Sequence, residues 1–269
     1  MRATLILLLA LWAGYAHAKD TPLEALTTSD AVRPWEAVGR LDIGGTGFCT
    51  GALISQTHVL TAAHCLYDKS TGARIDPALI EFRAGWRNGR AEAYRMVRRA
   101  VEHPSYDFAE TTSTTRVKND VAILELAQPI RNGRITPFQL AERPRKGERV
   151  GVVSYAADRS EAPSLQEACR VMARQFGMLV LSCDVDFGSS GAPVFTFESG
   201  APRIASVISA KAEVQGERVS LGTGVEAQVA VLLDELAAGK GVFQSAAPQV
   251  RRIGQVSGGA QSSAKFVRP

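Results

Sequence analysis

Along most of this chain short apolar runs alternate with clusters of Gly, Asn, Asp and Pro, a punctuation typical of strands joined by turns. Residues 38–43, 50–55, 58–62, 80–84, 121–126, 150–155, 178–183, 192–197, 204–209 and 219–222 each read as a strand. So many short strands predict an all-β sandwich or barrel, and periodicity does not choose between them. One segment breaks the pattern: Val229, Leu232, Leu233 and Leu236 share a helical face, and Gly239 can end the helix, so a short helix is predicted over about 228–238. Residues 19–33 are polar without a sustained period and read as an N-terminal arm. Residues 105–118, rich in Ser and Thr, predict a mobile loop that buries little. Pro129, Gly133 and Pro137 mark a connection, and residues 241–269, with Gly258-Gly259 and repeated Ser and Gln, read as disordered.

Composition adds few restrictions. The chain has 269 residues, 45% hydrophobic and 7% aromatic, with a net charge of +4. That charge is too mild to argue for nucleic acid, and the clusters Arg95, Arg98, Arg99 and Arg143, Arg145, Lys146 read as solvated surface. At the N-terminus, Met1-Arg2 precedes an apolar run from Leu5 to Trp12 that is too short to span a bilayer, and Ala16-His17-Ala18 follows. This is the pattern of an export signal over 1–18, cut after Ala18. No later stretch predicts membrane insertion. Cys49, Cys65, Cys169 and Cys183 are an even set in an exported chain, which predicts two disulfides; composition leaves three pairings open. No Cys-x-x-Cys or His-x-x-x-His spacing occurs, so neither a metal nor another cofactor is expected.

Three segments carry candidate chemistry: Thr61-Ala62-Ala63-His64-Cys65, Asn119-Asp120-Val121-Ala122-Ile123-Leu124 and Gly188-Ser189-Ser190-Gly191-Ala192-Pro193. They supply a base, a carboxylate and a nucleophile in the order His64, Asp120, Ser190. Taken alone, Gly-x-Ser-Gly is an ordinary turn. With the other two it matches the needs of a triad: a hydroxyl, an imidazole to take its proton, and a buried carboxylate to orient the imidazole. Asp120 opens an apolar strand, where an unpaired carboxylate would be costly. His17 leaves with the signal, His58 sits on a strand, and His103 precedes Pro104 in a turn.

On these motifs, over roughly residues 34–240, the chain resembles the trypsin-like serine peptidases. The resemblance implies two packed antiparallel six-stranded β-barrels, over about 34–127 and 140–228, with a short C-terminal helix and the site between the barrels. It implies oxyanion donors in the N–H groups of Gly188 and Ser190, and a bridge from Cys49 to Cys65 that clamps the histidine turn. The remaining pair, Cys169 and Cys183, would lie just before the nucleophile. It places Ser209 near Asp120, sets Lys211 on the rim of the substrate pocket, and puts Asp184 where trypsin-like enzymes hold a pocket-floor acid that selects Arg or Lys; with Asp186 two residues away and the usual cysteine absent, the other reading of Asp184 is a turn or surface carboxylate on a loop routed differently. The pocket departs from the family pattern, because Ala210-Lys211 replaces the usual large residue and glycine. The glutamate-specific branch usually has a histidine near Ile208, and none is present. Ser189 stands where activatable relatives have an aspartate, and their Ile-Val-Gly-Gly start is missing too, which implies a site organised on folding. The expected function is a secreted or periplasmic serine endopeptidase, monomeric, acting on peptide or protein substrates through an acyl-enzyme. The alternatives are a catalytically silent binding protein on the same fold and an esterase using the same triad. An α/β-hydrolase would run Ser, acid, His instead.

Overall fold

The computed structural model describes residues 20–45, 47–110, 113–197 and 200–241. The export signal expected over 1–18 lies outside the described residues, as does all of the expected tail except Gly241.

The N-terminal arm is docked onto the body. Strand β1 (Glu24–Ala25) precedes a helical turn, α1 (Ser29–Val32), whose first turn is capped by Thr28. The first barrel follows, with β2 (Val38–Ile43), β3 (Gly47–Leu53), β4 (His58–Thr61), β5 (Ile80–Ala84), β6 (Ala93–Glu102) and, after helix α2 (Thr114–Asn119), β7 (Ala122–Leu126). It closes in the order β2-β3-β4-β7-β6-β5. The second barrel contains β8 (Arg149–Ala156), β9 (Arg159–Gln175), β10 (Met178–Leu181), β11 (Pro193–Thr196), β12 (Arg203–Val214) and β13 (Glu217–Gly224). Its strands run β9-β10-β13-β12-β11-β8, and pairing of β8 with β9 closes the ring. Two six-stranded antiparallel barrels are therefore present, as the resemblance implied.

Helix α3 (Glu226–Ala237) leaves the second barrel and returns to the first. Its buried face, Val229, Leu232 and Leu236, joins the core that fills the first barrel. Arg99 of β6 donates to the Leu236 carbonyl at 3.2 Å, which also accepts the Gly239 N–H at 3.0 Å, and so ties the helix end to the first barrel. Between the barrels, Phe195 packs on Trp35 and Phe138 with ring centres 5.1 and 4.7 Å apart, and each such pair adds about 0.5–1.5 kcal/mol beyond simple burial. The arm crosses to β9, where Glu24 pairs with Leu165 and Ala25 with Ser164. Thr21 and Ala168 exchange backbone and hydroxyl bonds. Buried Gln166 uses both ends of its amide, donating to the Thr21 carbonyl at 2.9 Å and accepting the Asp184 N–H at 2.8 Å.

Three local expectations are corrected. Residues 105–118 are not a loop that buries little: they include α2, its first turn capped by Ser113, and Tyr106 is only 8% exposed. Phe108 stacks on Tyr67 with ring centres 4.5 Å apart. Capping and two aromatics supply what an apolar period does not. Strands β6 and β9 went unrecognised because Arg and Glu interrupt their alternation. And the Arg95, Arg98, Arg99 cluster is not simply solvated. Arg98 and Arg99 both pair with Glu125 of β7, while Arg95 donates to the Pro129 carbonyl.

Candidate active site

His64 sits in a 3₁₀ turn, Ala63–Leu66, directly after β4. The bridge Cys49–Cys65 ties that turn to β3. Asp120 follows α2 at the entrance to β7, and it is 3% exposed. Its carboxylate is fully engaged. Oδ1 accepts the His64 backbone N–H at 2.9 Å, and Oδ2 lies 2.7 Å from His64 Nδ1 and accepts the Ser209 hydroxyl at 2.5 Å. Burial pushes the Asp120 pKa up, but the His64 charge and the hydrogen bonds from His64 and Ser209 outweigh it and hold the carboxyl below the usual range. The imidazole is thus gripped at its backbone and at Nδ1, which leaves Nε2 for work elsewhere. The two other histidines after the signal are otherwise occupied. His58 Nδ1 is 3.0 Å from Ser55 Oγ, and His103 Nδ1 accepts the Ser105 N–H.

Ser190 lies in a turn whose shape depends on glycine on either side. Gly188 has φ +98° and Gly191 φ +76°, the left-handed region that L side chains avoid. Space forbids a side chain as well. A Cβ on Gly191 would come within 2.1 Å of Thr61 Oγ1, and one on Gly188 within 2.3 Å of the Phe48 ring. The turn is fastened to the first barrel by Thr50, which is fully buried. Its N–H donates to the Ser190 carbonyl and its hydroxyl to the Gly188 carbonyl, both at 2.9 Å. The same hydroxyl accepts the Tyr155 N–H at 3.1 Å. Tyr155 is free to offer it because β8 slips register between Ser154 and Ala156, and such a bulge turns backbone groups away from the ladder. Buried Ser189 takes the Tyr155 carbonyl from the other side, at 3.2 Å. Among the described residues, the N–H groups of Gly188 and Ser190 make no backbone hydrogen bond.

Ser190 and His64 line one cavity of about 180 Å³, with no hydrogen bond between their side chains among the described residues. Contacts of this kind commonly tighten only when substrate binds. Lys211 lines the cavity, as does Ser209. Asp184 does not: its side chain is exposed, and the carboxylate that faces the cavity is that of Asp186. A second cavity, of about 410 Å³, opens on the other side of His64 against Phe48, Tyr67 and the Cys49–Cys65 bridge. The second bridge, Cys169–Cys183, closes within barrel two. Cys49, His64 and Cys65 cluster closely enough to suggest a metal site, but both sulfurs are consumed in the bridge and only one imidazole remains. Sequence reasoning assigned no role to Thr50, Tyr155 or Asp186. Thr50 stood next to a marked cysteine, yet nothing in the sequence shows that its hydroxyl fastens the Ser190 turn.

Comparison with known proteins agrees with this geometry. The family model for Trypsin matches residues 27–227. A trypsin of Phaedon cochleariae is 37% identical over 95 residues, which is 35% of this chain and 33% of that protein. A glutamyl endopeptidase of Bacillus licheniformis is 25% identical over 169 residues, 62% of this chain and 51% of the relative. The chain thus spans about a third to a half of the length of these relatives. A solved Glu endopeptidase superposes with a TM-score of 0.66 at 16% identity, covering 81% of this chain and 98% of that one, and it supports the fold alone. With barrels, ordered motifs and a family match spanning both barrels in agreement, the chain belongs to the trypsin family.

Proposed function

We propose that this chain is an exported serine endopeptidase working through His64, Asp120 and Ser190. The observation that carries the reading is the buried Asp120 holding His64 Nδ1 at 2.7 Å beside the cavity that contains Ser190. The ring donates Nδ1–H to Asp120, so bare Nε2 takes the Ser190 proton as Oγ attacks the scissile carbonyl. Asp120, already ionised, stabilises the imidazolium that forms. The N–H groups of Gly188 and Ser190 receive the oxyanion, a contribution of about 3–4 kcal/mol per donor in sites of this kind. His64 then returns the proton to the leaving amine, and water, activated by the same imidazole, releases the acyl group.

The substrate backbone has a place to pair. Strand β11 meets β12 only as far as Pro193 opposite Val207, which leaves the edge of β12 beyond Ile208 open for an extended peptide. The peptidase domain is taken as 34–240, with the signal over 1–18. Two disulfides support an oxidising destination.

The test is labelling by a fluorophosphonate probe together with peptide cleavage by purified protein. Ser190→Ala should abolish labelling and lower cleavage by about 10⁶-fold while leaving the protein folded. A Ser190→Ala protein that cleaves near the wild-type rate would show the nucleophile to be wrong. Wild-type protein that neither labels nor cleaves would favour a silent binding protein.

A further inference from the structure

The loop leading to Ser190 and the strand facing it each place one charge in the cavity beside the hydroxyl. Asp186 comes from the loop and Lys211 from β12, with Lys211 Nζ 2.7 Å from Asp186 Oδ1. Both line the cavity shared by Ser190 and His64, and both side chains are about half exposed (49% and 52%), so the pair stands where the cavity meets solvent. It is held from several sides. Asp186 Oδ1 also accepts the Phe187 N–H at 2.8 Å, and the Asp186 carbonyl accepts the Ser189 N–H at 2.9 Å. The Lys211 ammonium lies 4.3 Å from the centre of the Phe187 ring, within range of a cation–π contact. The Lys211 hydrogen bond, foremost, holds the Asp186 carboxyl below its ordinary range. Val185 and Ile208 add apolar lining.

We infer that the Asp186–Lys211 pair sets the substrate class of this cavity, admitting uncharged aliphatic side chains on the acyl side of the scissile bond and disfavouring acidic and basic ones. The inference rests on the peptidase reading of Ser190. Its physical basis is self-neutralisation. A basic side chain entering the cavity meets Asp186 with Lys211 beside it, and an acidic one meets the reverse. Either gives up hydration for little net Coulomb gain. An aliphatic side chain instead gains by covering Val185 and Ala210, both only partly buried. Lys69 is the other ammonium in the lining; it is exposed and lies 5.9 Å from the Phe187 ring centre. Its charge favours acids, so the glutamate arm of the experiment reads its weight directly.

The experiment uses peptides identical except for Leu, Ala, Lys or Glu before the scissile bond. Values of kcat/KM are compared for wild type, Lys211→Met and Asp186→Asn, each normalised to sites titrated with a fluorophosphonate. Both substitutions fall on half-exposed side chains, and the titration confirms that each variant retains its site. Wild type should cleave after Leu or Ala at least tenfold faster than after Lys or Glu. Lys211→Met should raise Lys relative to Leu by at least tenfold, and Asp186→Asn should raise Glu relative to Leu by the same factor. A wild type preferring Lys or Glu, or either variant falling short of its shift, overturns the inference. Titrated protein with unmoved ratios overturns this inference alone; protein that takes no probe overturns the peptidase reading and this one with it.

Discussion

Thr50→Val is a nearly isosteric change that removes one oxygen from the contact between the barrels. That oxygen donates to the Gly188 carbonyl at 2.9 Å and accepts the Tyr155 N–H at 3.1 Å, and Thr50 is fully buried. Valine leaves both backbone groups without their partner and out of reach of water. Each buried orphan costs about 1–3 kcal/mol, so the expected loss of folding stability is about 2–6 kcal/mol in all. With a urea slope of about 2 kcal/mol/M, the midpoint falls by about 1–3 M. Activity should fall as well. Gly188 sits at φ +98° and the Thr50 bond fixes its carbonyl, so freeing that carbonyl lets the residue rotate and loosens its N–H, one of the two proposed oxyanion donors. Complete loss of one such donor costs about 10²–10³ in kcat, and a loosened donor should cost at least about tenfold, with KM changed far less. The backbone bond from Thr50 to Ser190 survives the substitution. Urea unfolding and kcat per titrated site are the two assays, with Thr50→Ser as the control that keeps the hydroxyl. A Thr50→Val protein with wild-type midpoint and kcat would refute the reasoning, as would a Thr50→Ser protein impaired to the same degree.

Other expectations follow from the same geometry. Asp120→Asn should lower kcat by about 10⁴-fold, the scale of a triad left with the wrong imidazole tautomer, while probe labelling slows but persists; a loss under tenfold would remove Asp120 from the mechanism. Because the Asp120 pKa lies below its unfolded value of about 3.9, its contribution to stability is complete above that value and disappears as pH falls through the folded one. The wild-type urea midpoint should therefore drop more steeply below about pH 4 than that of Asp120→Asn, and parallel curves would contradict this. Protein carrying a short tag before Lys19 should titrate fully without trimming, with the intact mass confirmed in the same sample. An inactive intact form that gains sites only after cleavage within 19–40 would show that activation by proteolysis operates here.

Much of this architecture was legible from local pattern. Val121 to Leu124 is an unbroken apolar run because β7 lies between β4 and β6 with α3 over it, and such a run stands out in any sequence. Strand β6 does not stand out. Its Arg98 and Arg99 look like surface charge until Glu125 is seen across the sheet, and a register shift between Val97 and Arg99 disrupts the alternation. Helix α2 hides among residues of poor helix propensity and is set by the Ser113 cap and by packing. At the site, His64, Asp120 and Ser190 sit in motifs whose neighbours are constrained by backbone shape. Pocket acids carry no such constraint. Counting back from Ser190 selects Asp184, whereas the route of the loop brings Asp186 to the cavity. That route depends on long-range bonds, such as the one from Asp184 N–H to Gln166.

Gln166 also changes what the N-terminal arm is for. One end of its buried amide holds Thr21 and the other holds the backbone at Asp184, so the arm and the loop leading to Ser190 share a single support. Removing residues 20–25 strips β9 of an edge partner and exchanges the Gln166–Thr21 bond for water. Asp184 then loses the fixed partner of its N–H, two residues before Asp186 and six before Ser190. A cut within the arm would therefore remove order from the approach to Ser190, so protein trimmed to residue 26 should titrate fewer sites than the intact chain.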